Sequence, residues 1–505
     1  MTQVKVVLDE RIGKVNPNIF GHFIEHLGRC VYEGIFVGPE SKIANTRGLR
    51  NDVIDALRKI EPSILRWPGG CFADDYHWRD GIGCPDERPR TVNINWGYSI
   101  DSNAFGTHEF IDFCRLIGAE PYICANVGTG TPQEARNWVE YCNFPGDSSL
   151  ARLRRANGSE EPFNVKYWGI GNELWGCGGS LPPGDYAIEV RRFASFMRDF
   201  GGGDMYKIAC GPRGDDPCMV RRDWVLEFFE GMQTQTLSDG CRSRIDGFAL
   251  HYYTRGAGGG GALDFSEHEY YWLLNAALAM ESLIRQVRTA MDVYDPCRKV
   301  GLVIDEWGTW HPEAKGDTGL EQQNTMRDAL VAALHLDIFI KHADKVVMTN
   351  IAQTINVLQA LILTKEDKML LTPTYHVFDI YKRHQGGTSV RVLVDAPTIG
   401  SRSGESCVEV PQIAGAASLR DDDLFLTLTN SSISDECEIQ LELLGLSVDA
   451  AKELKWEQLV GIDASDHNTF EDSTRVRPQS KVINWDKGTL VLPPHSVNAI
   501  TVGLK

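Results

Sequence analysis

Between about residues 15 and 385 the chain alternates eight short, nearly unbroken apolar runs with stretches whose apolar residues recur at helical spacing. The runs are NIFGHFIE (18–25), SILRWPGG (63–70), PYICANVG (121–128), KYWGIGNE (166–173), YKIACGP (206–212), IDGFALHYY (245–253), GLVIDEWG (301–308) and KVVMTNIAQ (345–353). A strand that is apolar at almost every position has both faces covered, which is the condition of a parallel sheet flanked by helices. Eight such strands alternating with helices specify an α/β fold, the (β/α)8 barrel. The segments between them carry helix signals. NDVIDALRKI opens on Asn51 as a cap and is followed by Pro62; HEFIDFCRLIGAE stops at Gly118; TPQEARNWVEYCN places Thr131 at the cap and Pro132 in the first turn. Longer helices are expected over 184–200, 268–293 and 323–343.

After TPTYHVFDIYKRHQGG (373–387) the pattern changes to short alternating runs, such as SVRVLVDAP, DDLFLTLTN, CEIQLELLG and TLVLPPHSVNAITVGL, separated by turn residues. Alternation with period two marks strands buried on one face, so a smaller C-terminal β-sandwich, jelly-roll-like, is expected. TQVKVVLD at the N-terminus alternates in the same way and is a candidate strand of that second domain. The expected division is a catalytic barrel over 15–385 and a sandwich formed by 1–14 plus 386–505. A chain of 505 residues is long enough for both. The run GAGGGGA (256–262) reads as a flexible loop on the barrel.

Charge narrows the ligand. Lys plus Arg number 51 and Asp plus Glu 69, a net −18, which argues against a partner presenting phosphates, whether nucleic acid or an anionic membrane surface. The expected ligand is neutral. No stretch of 18 uninterrupted apolar residues is present, so no membrane span is expected. The 13 cysteines contain no CxxC pair and no Cys/His cluster with zinc spacing. Scattered thiols suit a reducing compartment. Since MTQVKVVLDERIGKV has no basic segment leading into an apolar one, the expectation is a cytoplasmic protein with no metal.

In a barrel of this kind the chemistry sits at the C-terminal ends of the strands. Here those ends carry Glu25, Arg66, Asn172 with Glu173, His251 with Tyr253, Asp305 with Glu306, and Asn350 with Gln353. A single acid at a strand end is more often a cap or a surface charge. Two glutamates ending the fourth and seventh strands, each followed within two residues by a tryptophan, form a stronger signal. Both open on one mouth, where they can face each other. Glycoside hydrolysis needs two carboxyl groups across one bond, one protonated and one ionised. An acid packed against Trp175 in an apolar strand end is suited to keep its proton, whereas Arg66 and Tyr253, if they reach Glu306, would keep that group ionised. Asn172 is a neutral neighbour able to hold a hydroxyl or orient a carboxyl. Trp67, inside an apolar run, reads as core, but Trp96 in the polar loop TVNINWGYS suits stacking on a sugar ring. LRWPGGC and GIGNE lack the phosphate-loop and dinucleotide spacings, and His22 with His26 has no second ligand cluster.

GHFIEHLGRCVYEGI, LRWPGGCFADDYHWRDGIG, YWGIGNE, LHYYT, DEWGTW and NIAQTINVLQALIL resemble the motifs of α-L-arabinofuranosidases of glycoside hydrolase family 51. They span residues 20 to 370 in the family's order. The resemblance implies a retaining hydrolase that releases terminal non-reducing arabinofuranosyl groups from arabinoxylan or arabinan fragments. It implies Glu173 as acid/base and Glu306 as nucleophile, with Glu25, Asn172, Tyr253 and Gln353 contacting the arabinose. Arg66 would support the nucleophile and Trp310 line the outer pocket; Trp96, Trp175 and His251 complete the expected substrate site. The family needs no metal or organic cofactor and is usually a homohexamer. Cys71 stands where many members carry asparagine, so it is expected to meet the sugar through a thiol or to pack through its sulfur. Competing readings are a β-xylosidase or endo-β-glucanase on the same barrel, a metal-dependent sugar isomerase, and a non-catalytic carbohydrate binder.

Overall fold

The computed structural model describes residues 2–200, 205–214, 222–233, 245–255, 258–445, 450–484 and 488–504. Of the glycine-rich run at 256–262, Gly256 and Ala257 lie outside the described residues. The eight apolar runs supply the eight strands of a closed parallel barrel. In chain order these are Gly21–Phe23, Ile64–Trp67, Glu120–Ala125, Tyr167–Ile170, Tyr206–Ala209, Gly247–Arg255, Gly301–Trp310 and Val346–Ile351. Each is paired with its chain neighbours, and the last closes on the first through Asn350 opposite Gly21. Ile64, Tyr122, Ile208, Ala249, Val303 and Met348 fill the barrel interior, while a far larger apolar layer seats the helices outside it. Both faces of the strands are covered, which is why they read as continuous apolar runs. The long helices run over Pro183–Phe196, Glu267–Tyr294 and Met326–Lys341.

Two departures from regular strands position the chemistry. The fourth strand stops at Ile170, and Gly171 and Glu173 take positive φ values of 76° and 44°, so the chain turns sharply as it leaves the barrel. In the seventh strand the pairing slips by one residue: Leu250 faces Ile304, but His251 faces Glu306. Asp305 is the extra residue. Successive side chains of a regular strand point to opposite faces, whereas a bulge re-aims one of them. Here it lets Asp305 and Glu306 both bond Arg66.

The alternating C-terminal segment forms a nine-stranded sheet that includes the N-terminal strand. Thr2–Lys14 lies antiparallel to Thr388–Asp395 and parallel to Cys437–Leu444. Val4, Val6 and Leu8 point into a second core with residues from strands near both ends of the sheet order, such as Trp456 and Leu490, so the sheet wraps around its own core. Tyr381 and Thr427 both donate to the Asp337 carboxylate at 2.9 and 2.7 Å, joining barrel helices to this sheet. No helix among the described residues is long and apolar enough to cross a membrane.

Candidate active site

A pocket of about 590 Å³, open mouth included, is lined by Glu25, Glu173, Glu306, Tyr253, Gln353 and the rings of Trp96, Trp175 and Trp310. Its floor is made possible by the glycine pair of LRWPGGC: a Cβ on Gly70 would stand 3.2 Å from both Glu25 Oε2 and Glu306 Oε1. Any side chain there would push into the two carboxylates.

Glu306 is buried, and each of its oxygens has a donor. Arg66 Nη1 donates to Oε1 at 2.8 Å and the Tyr253 hydroxyl donates to Oε2 at 2.6 Å. Arg66 is itself fixed by Asn172 Oδ1 at 2.5 Å and by Asp305 Oδ2 at 3.4 Å. Asp305 in turn accepts from the Tyr122 hydroxyl at 2.8 Å and Asn350 Nδ2 at 2.7 Å. Burial pulls the Glu306 carboxyl upward, but His251, Arg66 and the Tyr253 hydrogen bond together hold it below its ordinary value. Such a group is an ionised carboxylate at neutral pH.

Glu173 sits across from it in different surroundings. His251 Nδ1 lies 2.9 Å from Glu173 Oε1 and 3.6 Å from Glu306 Oε1. One oxygen of each glutamate lies within 4.8 Å of the other and of the His251 nitrogen. Burial disfavours a charged His251, but the charge of Glu306 and the hydrogen bond and charge of Glu173 outweigh it and raise its pKa. The expected apolar packing of Glu173 is corrected: its carboxylate meets an imidazole and the Cys177 sulfur, and Trp175 turns its Nε1 to the Gly211 carbonyl at 3.0 Å. With the strand ended at Ile170, the residues after it lie on a turn rather than in an apolar strand.

Glu25 is the most heavily hydrogen-bonded of the three pocket acids. Its Oε1 accepts from the Phe72 backbone at 3.1 Å and Trp96 Nε1 at 3.0 Å, and its Oε2 from Gln353 Nε2 at 3.0 Å. Burial, reinforced by the Glu306 charge, pushes its acid up to about 7 against these bonds. Trp310 meets Tyr253 edge-on at 5.2 Å and carries the Arg255 guanidinium 4.0 Å above its ring.

Of the expected sugar contacts, one needs correction, Cys71, and three stand deep in the site. Arg66, Asn172 and His251 are 1, 0 and 2% exposed; Arg66 bonds Glu306 as expected of a support for that group, Asn172 bonds Arg66, and His251 bonds Glu173. Cys71 does line the pocket, but as half of a disulfide with Cys177, not as a thiol. The turns after the second and fourth strands bring the two Cα atoms to 5.6 Å across 106 residues of chain, which no spacing rule reveals. The expectation that all cysteines are free thiols falls with it. Asp305 was legible as a strand end, but its pairing with Arg66 depends on the bulge. Asp74, which accepts the Asn172 backbone N–H at 2.7 Å, carried no signal beyond its place after the glycine pair.

Glu173, His251 and Glu306 are close enough to share a cation. Arg66 already supplies the positive charge 2.8 Å from Glu306, and a divalent ion bound there would be repelled by it. Cys71 and Cys177, near Glu173, are bonded to each other and offer no thiolate ligand.

Two family models match the chain, an α-L-arabinofuranosidase 1 domain over residues 56–212 and an α-L-arabinofuranosidase C-terminal domain over 305–496. An intracellular exo-α-L-arabinofuranosidase of Bacteroides ovatus is 42% identical over 498 residues, covering 97% of this chain and 93% of that protein. The glycoside hydrolase family 51 arabinofuranosidase of Xanthomonas axonopodis pv. citri is 40% identical in sequence and superimposes with a TM-score of 0.90, covering 99% of this chain and all of that one. The arabinose complex of the Thermotoga maritima α-L-arabinofuranosidase is 32% identical with a TM-score of 0.87, both chains fully covered. With an acid pair at the mouth of a (β/α)8 barrel and this likeness along its whole length, the chain belongs to the α-L-arabinofuranosidases of glycoside hydrolase family 51.

Proposed function

We propose that the chain is a retaining, exo-acting enzyme that removes terminal non-reducing α-L-arabinofuranosyl groups from arabinoxylan and arabinan oligosaccharides by double displacement. The observation that carries this is the pair Glu173 and Glu306, one oxygen of each within 4.8 Å, in unlike surroundings at the bottom of one small pocket. Retaining glycosidases hold their carboxyl groups about 5 to 5.5 Å apart, and inverting ones about 6.5 to 9.5 Å to seat a water. The shorter spacing favours direct attack by Glu306.

In this mechanism Arg66 and Tyr253 keep Glu306 ionised and aimed, and it attacks the anomeric carbon. Glu173 gives its proton to the departing oxygen, then takes one from the water that releases the sugar. His251 bonds Glu173 and is positioned to follow its change of charge. Glu25 and Gln353 offer hydrogen bonds to the arabinose hydroxyls, and Trp96 and Trp310 shape the walls. The name of the Bacteroides ovatus relative, an exo-α-L-arabinofuranosidase, supports this reading over an endo-glucanase, whose substrate needs an open cleft. We further propose a cytoplasmic location and a homo-oligomer, hexameric by family likeness; the name of the Bacteroides ovatus relative supports the first. Light scattering tests the second.

The deciding experiment is hydrolysis of 4-nitrophenyl α-L-arabinofuranoside by wild type and Glu306→Ala, with the β-D-xyloside alongside and the product anomer read by proton NMR. Arabinoside cleavage with retention that vanishes in the variant is expected. Preferential xyloside cleavage would select the β-xylosidase reading, and inversion would overturn double displacement.

A further inference from the structure

Asp74 is a buried acid that the mechanism above does not use. It lies in the short turn Cys71–Asp75 that follows the second barrel strand and is 3% exposed. Its Oδ1 accepts the backbone N–H groups of Val127 and Gly128 at 2.8 and 3.2 Å, and its Oδ2 accepts that of Asn172 at 2.7 Å. Its own carbonyl accepts from the Thr129 backbone and hydroxyl at 3.0 and 3.2 Å. One carboxylate therefore ties together the turns that leave the second, third and fourth strands.

The tie ends beside the acid/base. Asn172 is held at its backbone by Asp74 and at its side chain by Arg66, and Glu173 follows it directly in a left-handed conformation, φ 44°. A non-glycine residue keeps such a backbone only where its surroundings impose it. On the far side of Glu173, Cys177 is bonded to Cys71 of the same turn, and Gly178 packs so close that a Cβ would lie 2.6 Å from Asp74 Oδ2. The turn Cys71–Asp75 thus grips the Glu173 segment before and after the glutamate. The same turn gives its Phe72 N–H to Glu25, linking the acid/base to the wall that holds the sugar.

We propose that Asp74 is a positioning residue for Glu173: through the Asn172 N–H it sets where the acid/base carboxyl stands relative to the oxygen of the departing group. This rests on the reading of Glu173 as acid/base. In Asp74→Asn the amide either turns an N–H towards the Asn172 N–H or abandons the Val127 and Gly128 donors, so the turn shifts. Protonation matters for a poor leaving group and little for a good one, and general acid catalysis contributes roughly 10² to 10⁴-fold.

The test measures kcat/KM for 2,5-dinitrophenyl and phenyl α-L-arabinofuranosides with wild type, Asp74→Asn, Asp74→Ser and Glu173→Ala. The ratio of the two substrates on one preparation does not depend on the folded fraction, so partial unfolding cannot imitate the effect. The serine variant, which keeps one acceptor for a single N–H, carries the comparison if the asparagine variant folds poorly. Asp74→Asn is expected to lose about tenfold more on the phenyl than on the dinitrophenyl substrate, in the direction of Glu173→Ala but smaller, with Asp74→Ser changing the ratio in the same direction. Equal losses on both substrates, or none, in the Asp74 variants would overturn the proposal and leave a structural tie only. An unchanged ratio in Glu173→Ala would overturn the acid/base assignment instead, and a wild type inactive on both would overturn the arabinofuranosidase reading.

Discussion

Glu25→Gln should make the protein more stable at pH 8 while weakening its grip on the sugar. Burial raises the Glu25 acid from its ordinary 4.5 to about 7. Between these values the unfolded chain releases a proton that the folded chain retains, so folding stability falls as pH rises across the interval and the loss is complete above about 7. Each pH unit of displacement is worth about 1.4 kcal/mol, which makes the full loss about 3 kcal/mol. Glutamine carries no such penalty. Its oxygen can accept from Phe72 and Trp96 as Glu25 Oε1 does, and its new N–H can meet Gln353 if that amide flips, since Gln353 Oε1 is buried without a partner. Denaturant unfolding of both proteins at pH 5, 6, 7 and 8 reads the difference. The variant should gain on wild type progressively, by about 2 to 3 kcal/mol from pH 5 to 8. Its KM for the nitrophenyl arabinofuranoside should rise at the same time. A difference that stays flat across that range would refute the reasoning, because Glu25 would then not be the group whose ionisation opposes folding.

Tyr253→Phe removes the 2.6 Å hydrogen bond to Glu306 Oε2. A bond to a charged group is worth about 1.5 to 3 kcal/mol, so kcat/KM should drop roughly tenfold to a hundredfold, and an unchanged value would remove Tyr253 from the nucleophile's support. Cys177→Ser opens a cross-link across 106 residues. Unfolding free energy should fall by up to about 4 kcal/mol while cleavage of the dinitrophenyl substrate stays within about threefold; a stability equal to wild type would mean the bridge does not restrain the unfolded chain. Dialysis against EDTA should leave activity unchanged, because Arg66 occupies the place of a cation beside Glu306; loss restored by a divalent ion would revive the isomerase reading.

Much of this protein was legible one residue at a time. The barrel was readable because a strand covered on both faces must be apolar throughout, and all eight runs became its strands. The second sheet was readable because a strand covered on one face must alternate, as Val4, Val6 and Leu8 do. The acid pair stood out because strand ends in such a barrel converge on one mouth. These are consequences of local pattern, which survives in a linear text. What tertiary structure alone decided are contacts made when the barrel closes. Cys71 and Cys177 leave strands that are not neighbours in the sheet, so their bond depends on how the second and fourth turns lean over the third. One extra residue at Asp305 brings two acids to Arg66 where a regular strand would bring one. The same closure withdrew Arg66, Asn172 and His251 from the surface, since buried polar groups must bond something and here they bond one another and the glutamates. Residue types and their order determined which groups come to the mouth; which of them line the pocket and which stand behind it, bonded to the glutamates, was settled only by the distances that folding imposes.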